Sequence, residues 1–323
     1  MQSTPPISVP ARTTAGHWMT THPLTPVDAP VAATARAFTA PMKGKLQGTA
    51  ARKPFDDIMG HVPAPDGVRY EADTVGGIPG WWCLPSHAAP AGAILYLHGG
   101  WYSWGTAAAY RHFVGHVAVH AGVPAFAPDY CLAPEHPFPA GVLDVRACWH
   151  ALVERGLGHL AVIGDSAGGG LALALAAHLA QEHATSVQPA AVVALSPVTD
   201  LTLAGPSWTT RADADPYFTL AQARGQVDAY LAGHDATDPQ ASPLFAKLAG
   251  LPPLRLHVGD DELLLDDALR YAERAAVAGV DAHVDVWEGL PHVFLSSVGQ
   301  LAAADQALAQ VGAFVAGRIA ATA

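Results

Sequence analysis

The chain has 323 residues, 50% of them hydrophobic and only 14% charged, with 17 basic against 28 acidic side chains for a formal net charge of −11. That acidic balance disfavours nucleic acid and anionic membrane as partners, because both are polyanions. The length allows two domains, although α/β folds of this size are commonly one domain with insertions.

Residues 1–30 are polar and rich in Pro and Thr, without the basic start and apolar run of a signal peptide. Residues 1–62 as a whole show no clear strand, and a helix is expected over 26–38, with Asp28 at its start and Pro30 in its first turn. Trp18, Phe38, Phe55 and Met59 are apolar side chains that favour burial, so residues 1–62 read as a cap segment placed before a catalytic domain at 63–323. Strands follow at 68–75 and 80–84, separated by Gly76-Gly77-Ile78-Pro79 and read as a hairpin. Residues 93–97 form a buried strand that ends at His98-Gly99-Gly100-Trp101.

A helix is expected over 107–120. Its His112, His116 and His120 read as a polar stripe and not a metal face, because no carboxylate or cysteine recurs with them. Next come a strand at 123–127, a helix over 140–157 entered through Pro139, and a strand at 160–164 running into an Ala- and Leu-rich helix. After a strand at 190–195, residues 196–243 form a polar insertion with a helix at 220–231. The chain closes with strand 254–258, helix 263–278, strand 283–287 and helix 301–319. Strands alternating with helices predict a mostly parallel eight-stranded sheet covered on both faces. Ligands in such sheets bind at the carboxyl ends of the strands. The most apolar helix, 170–179, is too short to span a bilayer. Cys83, Cys131 and Cys148 are odd in number and widely spaced, which reads as reduced, mostly buried thiols in a cytoplasmic protein with no metal site.

The chemistry concentrates at Gly164-Asp165-Ser166-Ala167-Gly168, a G-x-S-x-G pattern between a strand and a helix. A strand entering a helix through a sharp turn pushes its central side chain into an exposed, strained position, so Ser166 is the expected nucleophile. A serine hydroxyl needs an imidazole to take its proton. His292, in the loop after the last strand, is the expected base. The acid falls within Asp260-Asp261-Glu262, where Glu262 at the strand-to-helix corner leads, followed by Asp261 and then Asp260. For the oxyanion, the Ala167 N–H is one expected donor, and Gly99 and Gly100 offer amides with no side chain in the way. His98 is expected to shape that loop and not to carry protons.

His98-Gly99-Gly100, Asp129-Tyr130-Cys131-Leu132-Ala133-Pro134-Glu135-His136, Gly164 to Gly169, Ser242-Pro243-Leu244, Leu251-Pro252-Pro253 and Pro291-His292-Val293-Phe294 together resemble the hormone-sensitive-lipase-like esterases of the α/β-hydrolase superfamily. The resemblance spans roughly residues 70–316. It implies the α/β-hydrolase fold, with a cap built from the N-terminal segment and an insertion after the sixth strand, at about 200–240. Aligned from Leu251-Pro252-Pro253, the family's acid falls on Glu262, thirty residues before His292. Two departures stand out: Trp101 replaces the family's third glycine and narrows the acyl side, and Cys131 stands where an arginine is usual. Trp101, Tyr102, Trp104, Trp208, Tyr217 and Phe218 are the candidate pocket walls. The implied activity is a serine carboxylesterase acting on short-chain or small acyl esters through an acyl-enzyme, without metal or cofactor. The alternatives are a lactone, amide or formamide hydrolase with the same triad, or a non-catalytic small-molecule-binding relative. The expected partner is a small ester, with no nucleic acid and no stable membrane association; oligomeric state is left open, a homodimer among the options.

Overall fold

All eight expected strands form, and a ninth joins them. The computed structural model describes residues 18–88, 92–182 and 187–322; the start of the expected cap segment, residues 1–17, lies outside the described residues. The chain begins with β1 (Met19–His22), α1 (Asp28–Thr39), α2 (Arg52–Gly60), β2 (Val68–Val75), β3 (Ile78–Pro85), β4 (Gly92–Leu97), α3 (Ala107–Ala121), β5 (Ala125–Pro128) and α4 (Ala140–Glu154). It continues with β6 (His159–Asp165), α5 (Ser166–Leu179), β7 (Ala191–Leu195), α6 (Ser207–Thr210), α7 (Leu220–Leu231), β8 (Leu254–Gly259), α8 (Leu265–Val277), β9 (Ala282–Trp287) and α9 (Ala302–Thr322).

The sheet order is β1-β9-β8-β7-β6-β4-β5-β3-β2. Among the described residues only the β2–β3 and β3–β5 pairings are antiparallel, so β3 alone runs against the other strands. Strands β4 and β7 are buried at every residue, which is why they read as unbroken apolar runs: helices cover both faces of the parallel part. One layer packs α3 and α9 through Phe113, Val117, Leu308 and Val311, all almost wholly buried. The other packs α4 and α5 through Trp149, Leu152, Leu171 and Leu175. Each such Leu or Val contributes about 1.5–3 kcal/mol of burial free energy.

The ninth strand, β1, left little trace in the sequence. Met19-Thr20-Thr21-His22 is short and mostly exposed, with no apolar alternation to read. It pairs parallel with β9, Met19 opposite Val284 and His22 opposite Trp287. Side-chain bonds reinforce the pairing: His22 to Asp285 at 2.7 Å and Thr20 to His283 at 2.9 Å. Helix α2 was also not anticipated. Its Arg52 bonds to both oxygens of Glu135, at 3.0 and 2.5 Å, and to the carbonyls of Ser103 and Ala133. A cation thus reaches this loop from the N-terminal segment, while Cys131 is held by its backbone N–H, which donates to Asp144 at 2.7 Å.

The expectation that Phe38 is buried is overturned: it is 84% exposed. It lies six residues beyond buried Ala32, and at 3.6 residues per turn that carries it about 240° around the helix. Met59 is buried as expected. His112 and His116 bond to the carbonyls of Val62 and Pro63, at 3.0 and 2.8 Å, so the histidine stripe docks α3 onto the preceding segment.

Asp28 has a larger role than starting its own helix. Its buried carboxylate accepts the N–H groups of Ala302 and Ala303, at 2.7 and 3.2 Å, and so caps α9 from the other end of the chain. Replacing a capping carboxylate by alanine leaves those amides without partners. Asp28→Ala is therefore expected to lower the free energy of unfolding by about 1–3 kcal/mol, measured by chemical denaturation.

Candidate active site

No linker separates β6 from α5: Asp165 ends the strand and Ser166 begins the helix. The turn is made within Ser166 itself, at φ +54°. Two glycines allow it. A Cβ at Gly164 would strike the Gly168 carbonyl, and one at Gly168 would strike the carbonyls of Leu97 and His98. The second contact brings the nucleophile turn against the loop after β4, whose strand lies beside β6 in register Leu97 to Gly164. The sheet order reverses direction here, and an α/β sheet opens a crevice at that point.

His292 Nε2 lies 2.9 Å from Ser166 Oγ, and its Nδ1 lies 2.5 Å from Glu262 Oε2. The structure therefore brings Ser166, His292 and Glu262 into one hydrogen-bonded line. Asp261 is turned away and pairs with Arg36. Asp260 accepts the Gly289 N–H at 2.6 Å. Farther along, Asp266 and Asp267 serve backbone amides of Ser207, Thr199 and Asp200. Burial alone pulls the His292 imidazole down, but the charge and hydrogen bond of Glu262 outweigh it and hold its pKa above the ordinary 6.5.

Three amides were expected to face the nucleophile, and one of them does not. Gly99 N–H donates to Asp165 Oδ1 at 3.1 Å, so it is already engaged. Asp165 is wholly enclosed: Tyr96 donates to the same oxygen at 2.8 Å and Tyr110 to the other at 3.1 Å. Burial pushes this carboxyl up to about 6 despite those donors. Among the described residues, the N–H groups of Gly100 and Trp101 donate to no other part of the chain. Ala167 N–H stands in the first turn of α5, where helical amides have no partner within the helix. His98 stacks on Tyr130 with ring centroids 4.4 Å apart, and its Nδ1 meets the Gly99 carbonyl at 2.8 Å. Burial lowers its pKa, so it holds the loop as an uncharged ring.

The candidate aromatic walls divide. Phe218 meets His292 edge-on with centroids 5.1 Å apart, Trp101 meets Phe218 at 5.4 Å, and Trp208 lies 6.4 Å from Trp101. Trp101 holds φ +54°, the backbone shape its glycine counterpart adopts without strain. Tyr217 sits beside Phe218 at 6.1 Å. Tyr102 instead stacks on Tyr230, and Trp104 packs on Phe55, so both brace the loop from behind. Two open cavities, of about 330 and 250 Å³, are lined by other residues, and neither lining includes Ser166 or His292.

Sequence reasoning missed the residues that support the line. Asp215, deep in the insertion, accepts the amides of Tyr217 and Phe218 at 2.7 and 2.9 Å and that of Leu263, beside the acid, at 2.9 Å. Arg36 of α1 ties the Ala214 carbonyl to Asp261. Ser196 bonds to Glu262 Oε1 at 2.8 Å. Only Ser196 carried a signal, since it stands just past the carboxyl end of an expected strand; Asp215 and Arg36 are ordinary polar positions until the chain folds.

Comparison with known proteins points the same way. Residues 94–296 match a family described as having the alpha/beta hydrolase fold. An acetyl-hydrolase from Streptomyces hygroscopicus is 38% identical over 74% of this chain and 78% of its own. An ethyl acetate hydrolase from Pseudomonas putida is 32% identical over 82% of this chain and 89% of its own. Among solved structures, an esterase from the bacterial hormone-sensitive lipase family superposes with a TM-score of 0.84 at 37% identity, covering 92% of this chain and 99% of that one.

Proposed function

The chain belongs to the alpha/beta hydrolase fold family, among its hormone-sensitive-lipase-like esterases, and is a carboxylic ester hydrolase; from that premise we propose that it works through a Ser166, His292 and Glu262 triad. The observation that carries this reading is the continuous hydrogen-bonded line from Ser166 Oγ through His292 to Glu262. His292 takes the Ser166 proton as Oγ attacks the ester carbonyl carbon, and Glu262 stabilises the imidazolium that results. The oxyanion is received by the N–H groups of Gly100 and Ala167, with Trp101 N–H taking the place first given to Gly99. Donors already aimed at the developing charge are each worth on the order of 10²–10³ in rate. Collapse of the tetrahedral species expels the alcohol, which leaves with the proton from His292. A water molecule, deprotonated by the same ring, then frees the acid.

Phe218 packs against His292, Trp101 against Phe218 and Trp208 against Trp101, an aromatic row beside the triad that favours small acyl groups. The names of the acetyl-hydrolase and ethyl acetate hydrolase relatives support the same choice. No described helix is long and apolar enough to cross a membrane. The three free thiols suit a reducing compartment, and we read the enzyme as cytoplasmic.

Initial rates on p-nitrophenyl esters test the reading directly. Acetate and butyrate should be turned over faster than octanoate, and Ser166→Ala should remove a factor of about 10⁵–10⁶ in kcat. Trp101→Gly, which also relieves the backbone, should raise kcat/KM for octanoate relative to acetate by about tenfold or more. An unchanged chain-length preference in that variant would place the acyl group elsewhere.

The pH profile tests the base. His292 must be neutral to accept a proton, and Glu262 holds its pKa above the ordinary value. On p-nitrophenyl acetate, kcat/KM should therefore fall on acidification with a midpoint above about 6.5. Activity that stays flat down to about pH 4 would remove His292 from the role.

A further inference from the structure

Strand β7 ends at Leu195, and the next residue, Ser196, is fully buried at φ +46°. Its backbone N–H already bonds to the His257 carbonyl at 2.7 Å, so the sheet continues without help from its side chain. The hydroxyl does something else. It donates to Glu262 Oε1 at 2.8 Å and accepts the Val293 N–H at 3.0 Å. One oxygen atom thus joins the acid to the residue that follows the base.

The chemistry gives that junction a purpose. A glutamate has one more side-chain torsion to fix than an aspartate, and freezing it costs more conformational entropy. Glu262 Oε1 is pinned by Ser196 and by the Gly259 N–H at 3.0 Å, which leaves Oε2 aimed at His292 Nδ1. On the other side, Val293 holds φ +50°, a shape that a β-branched residue adopts only under external constraint. The Ser196 hydroxyl supplies part of that constraint, one residue from the imidazole.

Resting on the triad reading above, we propose that Ser196 is a positioning residue of the reaction: its hydroxyl sets the distance and angle between Glu262 and His292 by holding the acid and the base loop at once. It acts through those two residues and not on the substrate. The signature is a loss in turnover that depends on the acid being present.

The test is a double-mutant cycle on p-nitrophenyl acetate, with thermal unfolding recorded for every variant. Ser196→Ala should lower kcat about tenfold with KM within about twofold. Ser196→Gly, which removes the hydroxyl but relieves the left-handed backbone, should lose as much turnover even if it unfolds at a higher temperature than the alanine variant. In a Glu262→Ala background, adding Ser196→Ala should cost less than about threefold more. An equal cost in both backgrounds, or wild-type kcat in Ser196→Gly, overturns the proposal. If Ser196→Ala does not fold, Ser196→Gly carries the cycle alone. Ser166→Ala, run alongside, separates the two levels: retained activity there sinks the triad reading itself. An inactive Ser166→Ala beside an unaffected Ser196→Gly sinks only the role of Ser196.

Discussion

A serine held in a left-handed conformation at the seam between a strand and a helix is the constraint on which the rest of this molecule depends. A non-glycine residue with φ near +54° costs of order 1–3 kcal/mol, and it persists only where its surroundings leave it no other shape. Here those surroundings are β6 on one side, fixed in mid-sheet, and α5 on the other, buried along almost its whole length. Neither element can rotate to release Ser166. The strain is also not confined to it: Trp101, Tyr102, Ser196 and Val293 all hold positive φ, and all belong to the loops that gather around Ser166 and His292. Backbone strain thus gathers around Ser166, and the packed layers behind it offset the cost.

Much of this was legible in the sequence because the signals were of the kind that local physics produces. Strands β4 and β7 are buried on both faces and so appear as apolar runs. The G-x-S-x-G glycines stand where backbone must approach backbone. Glu262 and His292 could be picked out because each follows a strand. What stayed hidden depends on contacts across long separations. The short β1 gains its place from β9, more than 260 residues away, and nothing in Met19-Thr20-Thr21-His22 announces that partner. Gly99 was misassigned because an amide without a side chain in its way looks free, until Asp165 of another strand is seen to occupy it. Phe38 was misread because an apolar residue in a helix was assumed to face inward, whereas the face of α1 turned to the protein is set by Ala32, Arg36 and Asp28.

The N-terminal segment is woven into the enzyme at several points and is not merely laid over it. Strand β1 lies at one edge of the sheet, Asp28 caps the final helix, Arg36 grips the turn beside the acid, and Arg52 grips the loop behind the oxyanion site. Asp215 makes the matching connection from the insertion, bonding both to the backbone of Phe218 above the imidazole and to Leu263 beside the acid. These are charged or amide-bound contacts in partly enclosed surroundings, where a hydrogen bond to a charged group is worth more than its neutral counterpart.

Helix α5 begins with Ser-Ala-Gly-Gly-Gly and continues almost wholly in Ala and Leu, with His178 its only side chain not fully buried. A helix so encased has no free surface along which to shift, and small residues let its neighbours press close to its backbone. The carrier of Ser166, the proposed nucleophile, is in effect an immobile post. Whatever variation in substrate this architecture accommodates has to come from the pieces that stand around the post: the tryptophan on the loop after β4, the loop that carries Phe218, and the short α6 that carries Trp208. On the proposed triad, bond-breaking and the choice of which molecule to break fall to different parts of the chain, so one can be remodelled while the other stands still.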